Sequence, residues 1–122
     1  MPLLTTFASA VDWIIEFRDE RDWKQFHTAK NLAIALSVEA SEILELFLWK
    51  KSQEVRDLLE DEDFVCRVEE ELGDVLIYSL ILCHEAGIDP GRAIQEKLRK
   101  NEERYPVGLA KGSARKYNEL DS

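Results

Sequence analysis

The sequence is poor in residues that interrupt or cross-link a chain. Its 122 residues include two cysteines, three prolines and five glycines. Because forced turns are few and alternating β-branched residues are almost absent, the sequence predicts a mostly helical protein without a sheet. The cysteines, Cys66 and Cys83, lie in apolar surroundings. We expect them to be reduced core thiols rather than a disulfide or a metal site.

Positive charge and long apolar runs are also scarce. Lysine and arginine number 16 against 25 aspartates and glutamates, for a net charge of −9. This excess of negative charge argues against nucleic acid or an anionic membrane surface as a partner. The longest strongly apolar run, Val75–Cys83, is about half as long as a membrane span requires. No basic stretch leads into an apolar run near residue 1, so we expect no signal peptide and a cytoplasmic location.

Apolar residues make up 45% of the chain, which is enough for one globular domain. The pattern predicts helices over about 5–21, 29–51, 64–86 and 90–105, with room for a short helix within 52–63. Gly87 is expected to end the third of these helices and Asp89 to cap the fourth. We therefore predict an all-α bundle of four to five helices over residues 1–106, with a polar tail over 107–122 that is mobile until a nucleotide orders it.

Two pairs of acids stand in apolar surroundings rather than on an obviously solvated face. Glu39 and Glu42 lie among apolar residues in the second predicted helix. Glu71 and Asp74 have the same spacing in the third and adjoin its most apolar run. In an antiparallel hairpin of these two helices, position 39 comes level with 74, and 42 with 71. Four unpaired anions would repel one another unless a divalent cation binds, and an all-oxygen ligand set favours Mg²⁺ or Mn²⁺ over Zn²⁺.

The residues alone leave a simpler interpretation of these acids open. Acids three residues apart on a helix usually form a solvated face, and a short helix between the two segments would disturb the alignment. A di-iron site is disfavoured, because neither histidine belongs to a Glu-x-x-His motif of the kind that di-iron helical bundles use.

The acid pattern and its surroundings resemble the MazG-like nucleoside triphosphate pyrophosphohydrolases. The motifs are ExxE at Glu39 and Glu42 and ExxD at Glu71 and Asp74. The segments around them are similar to the dCTP pyrophosphatase branch of that all-α superfamily, and they read ERDWKQFHTAKNLAIAL, VEASEILELFLWK, EEELGDVLIY and KLRKNEERYPV. Val38 stands where many members carry a further acid, and its absence is typical of this branch.

The resemblance implies a Mg²⁺-dependent hydrolase, with Mn²⁺ as an alternative ion, that cleaves a nucleoside triphosphate between its α- and β-phosphates. It implies dCTP or a modified dCTP as substrate, and cleaning of the nucleotide pool as the role. The residues that it assigns to metal binding and catalysis are Glu39, Glu42, Glu71 and Asp74. Those that it favours for nucleotide binding are Trp23, His27, Trp49, Tyr78, Lys97, Asn101, Arg104 and Lys111. It also implies a homotetramer built as a dimer of dimers. The first predicted helix is apolar on two sides, which is consistent with such an assembly.

Spacing alone does not decide the roles of the nucleotide-binding candidates. Trp49 and Tyr78 are expected on the same helix faces as the acids, and Lys97, Asn101 and Arg104 share one face of the fourth helix. Aromatic residues at helical spacing are nevertheless more often core, and a basic face near a helix C-terminus is commonly solvated. Two alternative functions also stay open: the same chemistry on dUTP or a broad set of triphosphates, and a non-catalytic helical assembly module.

Overall fold

The computed structural model describes residues 4–120. Residues 1–3 and 121–122, which belong to the predicted domain and the predicted tail, lie outside the described residues. The chain folds as two compact units, Met1–Gly87 and Ile88–Ser122. No strand occurs between residues 4 and 120, so the all-α prediction is confirmed.

The four long predicted helices are all present. The first unit contains α1 (Phe7–Glu20), a 3-10 turn (Lys24–Phe26), α2 (Ala29–Phe47), α3 (Ser52–Leu58) and α4 (Glu62–Ala86). The second unit contains α5 (Pro90–Arg104), α6 (Val107–Ala110) and a 3-10 turn (Tyr117–Glu119). The predicted helices are thus α1, α2, α4 and α5, while α3 occupies the polar stretch and α6 falls in the predicted tail. Between residues 4 and 120, none of the helices combines the length and the apolar composition that crossing a bilayer requires.

Capping residues fix the ends of the helices. The side chain of Asp89 accepts the backbone N–H of Arg92 at 3.0 Å and thereby caps α5. Gly87, at φ 68°, ends α4 in the left-handed conformation, which a glycine adopts without a steric penalty. Both predictions are confirmed. At the start of α2, the hydroxyl of Thr28 accepts the backbone N–H of Asn31 at 3.2 Å, which fixes where this helix begins.

The pairing of α2 with α4 organises the first unit. Leu32 of α2 is buried, as are Phe64, Leu80 and Ile81 of α4. Phe47, at the end of α2, packs edge-on against Phe64, at the start of α4, with 5.5 Å between the ring centroids. The two helices therefore run antiparallel, which is the arrangement that the alignment of the acids assumes, although α3 lies in the connection between them.

α2 ends earlier than the sequence predicts. A helix to residue 51 is wrong, because α2 stops at Phe47, Leu48 is extended and Trp49 lies in the left-handed region at φ 66°. The chain has only a few residues in which to turn from α2 into α3, and a left-handed residue provides that turn. The backbone N–H of Lys50 closes it on the carbonyl of Phe47 at 3.2 Å.

Burial of α4 is one-sided within this chain. Leu80 and Ile81 are buried, whereas Leu72, Leu76 and Ile77 are exposed. The apolar segment VLIYSLILC predicts a central helix that is buried all round, and this prediction is wrong for the described chain. The physical reason is that α2 and, less extensively, α1 pack on α4, which leaves its opposite face without a partner in this unit.

Both cysteines are free thiols, as expected. Cys83 is half-buried, but Cys66 is exposed, so the core position predicted for Cys66 is wrong. Cys66 stands two residues after the buried Phe64, about 200° around the helix, and therefore faces away from the core.

Candidate active site

Three acidic side chains meet where α2 faces α4. Glu39 and Glu42 lie about one turn apart on α2, and Glu71 lies on the facing part of α4. One carboxylate oxygen from each residue lies within 4.8 Å of the corresponding oxygens of the other two, and all three residues are half-buried. Helical spacing brings the first two to one face, and the antiparallel pairing brings the third to that face. We call these three residues the acidic cluster.

Two oxygens of the acidic cluster are buried and unsatisfied. Glu39 Oε2 and Glu71 Oε2 have no hydrogen-bond partner among the described residues. A buried carboxylate oxygen without a partner costs free energy, and neighbouring carboxylates add like-charge repulsion. A divalent cation would satisfy both oxygens and offset the charge, and an all-oxygen donor set is the kind that Mg²⁺ and Mn²⁺ prefer. The residues present therefore fit such an ion.

The pKa values in the cluster reflect the same crowding. Burial raises the pKa of Glu39 from 4.5 to about 7, and the hydrogen bonds that this group could donate to Glu42 and Glu71 once it is protonated add to the rise. Hydrogen bonding with Glu42, followed by burial, raises the pKa of Glu71 as well. Both groups therefore hold their protons more strongly than an isolated glutamate does, as crowded carboxyl groups do when no cation is bound.

Asp74, the fourth predicted ligand, is exposed and lies outside the group of three. Its negative charge nevertheless raises the pKa of both Glu39 and Glu71, which places it near the cluster. Asp74 stands three residues after Glu71, about one turn further along the same face of α4. Its role as a ligand stays a prediction.

A row of aromatic rings leads from the end of α1 to α4. The ring of Trp23 stands edge-on to Phe17, with 5.7 Å between centroids, and to His27, with 6.5 Å. His27 in turn stands edge-on to Tyr78 of α4, with 6.4 Å between centroids. We call these four residues the aromatic row, and it joins three of the predicted nucleotide-binding residues. Tyr78 lies seven residues, about two turns, after Glu71, so the row reaches the face of α4 that carries this member of the acidic cluster.

His27 is the polar member of the aromatic row. Its Nδ1 atom is buried and has no hydrogen-bond partner among the described residues. Burial, followed by the positive charge of Arg18, lowers the pKa of His27, while the negative charge of Glu85 opposes that change. The lowered pKa favours the neutral imidazole, which can donate one hydrogen bond and accept one. His27 is therefore a neutral ring between Trp23 and Tyr78, and its buried Nδ1 atom is closed to a ligand in this conformation.

Trp49 does not lie where its spacing predicts. We expected it two turns after Glu42 on the same face of α2, but the helix ends at Phe47 and Trp49 lies in the turn beyond it. The helical position is wrong because the chain turns left-handed at this residue. Trp49 is 93% exposed, so it is not a core residue of the single chain. Its role in nucleotide binding stays a prediction.

The remaining nucleotide-binding candidates belong to the second unit. Lys97 and Arg104 are exposed on α5 and Asn101 is half-buried, and their spacing places all three on one face. The guanidinium carbon of Arg104 lies 4.7 Å from the centroid of the Tyr117 ring, so the tail packs against the end of α5. Lys111 is exposed at the end of α6. The roles of these residues also stay predictions.

Arg18, near the end of α1, is a buried charge that the acidic and aromatic motifs of the sequence do not reveal. It is 2% exposed and forms an ion pair with Glu85 of α4, with 2.6 Å between Nη1 and Oε1. A signal was present, because Arg18 stands four residues after Ile14 and three after Ile15 and so extends an apolar stripe of the helix. A charged residue on such a stripe becomes buried and needs a partner.

The fold and the acidic cluster define an all-α protein in which two antiparallel helices supply carboxylates that fit a divalent cation. Residues 34–120 match the model of the MazG-like family. The chain belongs to the MazG-like family.

Known proteins of similar sequence and structure agree with this assignment. The chain is 44% identical over 105 residues to dCTP pyrophosphatase 1 of Rattus norvegicus and 43% identical over 105 residues to dCTP pyrophosphatase 1 of Homo sapiens. Each match covers 86% of this chain but only 62% of the relative, so the chain spans less than two thirds of the length of these mammalian proteins. A crystal structure of a pyrophosphatase from Archaeoglobus fulgidus is similar with a TM-score of 0.77 and 43% sequence identity, covering 87% of this chain and 97% of the archaeal one.

Proposed function

We propose that the protein hydrolyses dCTP, or a modified dCTP, to the nucleoside monophosphate and pyrophosphate in a Mg²⁺-dependent reaction. The observation that carries this proposal is the acidic cluster, with its two buried oxygens that have no partner among the described residues. The names of the relatives support the same chemistry, since the mammalian proteins are dCTP pyrophosphatases and the archaeal protein is a pyrophosphatase. The proposed role is cleaning of the nucleotide pool in the cytoplasm.

The proposed metal ligands are also the proposed catalytic residues: Glu39, Glu42, Glu71 and Asp74. Their oxygens favour Mg²⁺, and Mn²⁺ is the alternative ion. When bound, the ion would neutralise phosphate oxygens and lower the pKa of an attacking water. A carboxylate oxygen of the cluster that the ion leaves free can accept a hydrogen bond from that water and so orient it toward the phosphorus.

The aromatic row is the proposed binding site for the base. Trp23 and Tyr78 offer ring surfaces for stacking or edge contacts with a pyrimidine. His27 offers the edge of a neutral imidazole ring that stands between Trp23 and Tyr78. Trp49, free of the core and exposed, is proposed to contact the nucleotide as well.

Four residues of the second unit are proposed to bind the nucleotide: Lys97, Asn101, Arg104 and Lys111. The resemblance of the segment KLRKNEERYPV to the family supports the first three. The three basic residues are exposed, so an anion can reach them, although Arg104 also stacks on Tyr117. Few direct cationic contacts are needed, because a bound divalent cation offsets much of the triphosphate charge. The net charge of −9 is therefore compatible with an anionic substrate.

The proposed macromolecular partner is another copy of this chain, in a tetramer built as a dimer of dimers. Large apolar side chains are exposed on several helices, among them Phe7, Trp13 and Phe17 on α1 and Leu72 and Leu76 on α4. Extensive exposed apolar surface is unusual for a monomer. Size-exclusion chromatography with light scattering tests this proposal, and a species of 14.1 kDa at micromolar concentration would contradict it.

A pyrophosphate-release assay over a panel of nucleotides tests the proposed function. We expect release from dCTP or 5-methyl-dCTP with Mg²⁺, and none with EDTA. A preference for dUTP, or equal rates on all triphosphates, would keep the chemistry but overturn the substrate. No release from any nucleotide with Mg²⁺ or Mn²⁺ would overturn the proposal and favour a non-catalytic helical assembly module.

A further inference from the structure

We propose that Arg18, through its ion pair with Glu85, is a positioning residue that holds Trp23 and His27 in place for base binding. The inference rests on the proposed function, because it assigns a task at the same site. Arg18 does not touch the substrate in this proposal. It acts through the segment that joins α1 to α2.

The side chain of Arg18 ties the end of α1 to α4. Its Nη1 atom donates to Glu85 Oε1 at 2.6 Å. Its Nε atom donates to Asp19 Oδ1 at 2.9 Å on the other side of the guanidinium group. The Arg18 side chain is 3% exposed, against 25% for Glu85 and 53% for Asp19. The bond to Glu85 therefore joins two helices and is better shielded from solvent than the bond to Asp19. An ionic hydrogen bond is stronger where water is largely excluded.

The backbone of Arg18 ties the same point to the start of the aromatic row. Its carbonyl oxygen accepts the backbone N–H of Arg21 at 3.2 Å and that of Trp23 at 3.1 Å. Between these residues, Asp22 adopts φ 54°, a left-handed conformation that is uncommon for a residue other than glycine. The turn that presents Trp23 is therefore built on the Arg18 carbonyl, and the side chain of Arg18 fixes that carbonyl relative to α4.

These contacts form a chain that begins and ends on α4. Glu85 binds Arg18, Arg18 binds Trp23, and the rings of Trp23, His27 and Tyr78 follow in sequence. Tyr78 and Glu85 are seven residues apart on α4, which is about two turns and places them on one face. The segment that carries Trp23 and His27 is thus attached to α4 at two points. Removing the ion pair with Glu85 should therefore release the Trp23 end of this segment from α4.

Electrostatics place His27 within reach of both charges. The positive charge of Arg18 lowers the pKa of His27, and the negative charge of Glu85 raises it. A merely structural ion pair elsewhere in the fold would not couple to this ring. Measuring the pKa of His27 therefore tests whether the ion pair of Arg18 and Glu85 lies close to this ring.

The experiment compares matched variants of the full chain. Arg18→Met and Glu85→Gln each remove one charge of the pair, and Arg18→Lys keeps the charge but loses the forked geometry. Asp19→Asn is the control for the more exposed partner. Phe64→Leu is the control for stability, because Phe64 is buried at the opposite end of α4 from Glu85. For each variant we would measure KM and kcat for dCTP by pyrophosphate release at saturating Mg²⁺, and the pKa of His27 by NMR without nucleotide.

We expect Arg18→Met to raise KM roughly tenfold to a hundredfold with a smaller fall in kcat, because a displaced binding group costs affinity. Glu85→Gln should raise KM by a smaller factor, since the amide oxygen can still accept from Arg18. Arg18→Lys should restore part of the loss, whereas Asp19→Asn and Phe64→Leu should leave KM within about twofold of the wild type. In the NMR titration, Arg18→Met should raise the pKa of His27 and Glu85→Gln should lower it.

Several results would overturn the inference. One is an unchanged KM in both charge-removing variants of an active enzyme. Another is an equal rise of KM in Phe64→Leu, which would show a general loss of stability. A third is a pKa of His27 that moves in neither variant. If Arg18→Met does not fold, the KM and the His27 pKa of Glu85→Gln decide between the positioning role and its absence. If the wild-type protein hydrolyses no nucleotide, the proposed function fails, and the positioning role fails with it even where the NMR titration confirms the contact.

Discussion

The acidic cluster and the aromatic row are built in different ways. The acids stand on long regular helices, α2 and α4, whose pairing follows from apolar periodicity. Trp23, His27 and Trp49 lie instead in the short connections on either side of α2. Each connection contains a residue other than glycine in the left-handed region, Asp22 at φ 54° and Trp49 at φ 66°. The proposed chemistry is thus carried by two paired helices, whereas the proposed base recognition is carried mainly by turns, with Tyr78 of α4 as the exception.

This contrast predicts a division of labour between the two regions. Side chains on paired helices are held by many contacts, so changes in the acidic cluster should affect turnover and leave the fold intact. Side chains in turns depend on a few hydrogen bonds, so changes there should affect substrate affinity and base preference. Variants in each region test whether turnover and affinity can be separated in this way.

The largest expected effect is on turnover, in the variant Glu71→Gln. The change is nearly isosteric, but it removes a charged ligand from the acidic cluster, so we expect turnover to be abolished while the helical circular dichroism stays unchanged. Glu70→Gln is the matched control, because Glu70 is exposed and adjacent in sequence. A Glu71→Gln variant that keeps most of its activity at saturating Mg²⁺ would show that the proposed metal site is wrong.

The next effect is on substrate affinity, in the variant Trp49→Ala. Stacking of one base on an aromatic side chain contributes about 1–3 kcal/mol, so KM for dCTP should rise by up to one to two decades, with a smaller fall in kcat and weaker discrimination among bases. Because Trp49 is 93% exposed, the melting temperature should change little. Trp49→Phe should retain most of the affinity. Wild-type KM and base preference in Trp49→Ala would remove this residue from the site.

A third prediction concerns the pH dependence of stability without metal. The pKa of Glu39 is raised from 4.5 to about 7 in the folded protein, so the folded state binds more protons than the unfolded state between these values. The stabilisation from this group is therefore fully present below about pH 4.5 and is lost as the pH rises through about 7. In thermal melts, Glu39→Gln should flatten this part of the pH profile. A contribution that increased with pH would contradict the crowding of the cluster.

Mg²⁺ should counteract that loss, because it competes with protons for the same oxygens. At a concentration 100 times its Kd, an ion that binds only the folded state adds about 2.7 kcal/mol to stability. We expect the rise in melting temperature to be larger at pH 8 than at pH 5.5, and to be absent in Glu71→Gln. An equal rise in that variant would place the ion elsewhere.

The smallest expected effect tests the junction between the two regions. Thr28 caps α2 just after His27, so Thr28→Ala should lower stability by about 1 kcal/mol. The first turn of α2 should fray while Glu39, three turns further on, stays in place, so KM should rise slightly and kcat should not change. Ser37→Ala is the control, because the Ser37 hydroxyl bonds only to the Ala33 carbonyl of its own helix. An equal loss of kcat would show that the two regions are not separable.

The helical part of this fold could be predicted because its signals are local. Gly87 and Asp89 mark a helix end and a helix start through their own backbone and side-chain preferences. The spacing of Glu39, Glu42 and Glu71 was sufficient to predict that they approach one another, because periodicity and a hairpin determine it.

The turns could not be predicted, because their causes are not local. Nothing in the segment LFLWKK marks Trp49 as left-handed, and the turn follows from the need to begin α3 in a short distance. The ion pair of Arg18 with Glu85 joins residues that are far apart in sequence. Leu72 and Leu76 are exposed because α2 and α1 pack on the other side of α4, and the apolar run itself does not mark which face stays open.

Binding of Mn²⁺ to the protein without nucleotide tests the central claim most directly. Electron paramagnetic resonance measures the free ion, so a titration gives the number of ions bound and their Kd. We expect the wild-type protein to bind Mn²⁺, Mg²⁺ to displace it, and Glu42→Gln and Glu71→Gln to lose the binding while Glu70→Gln retains it. Equal binding by all four proteins, or none by the wild type, would show that the acidic cluster is not a metal site.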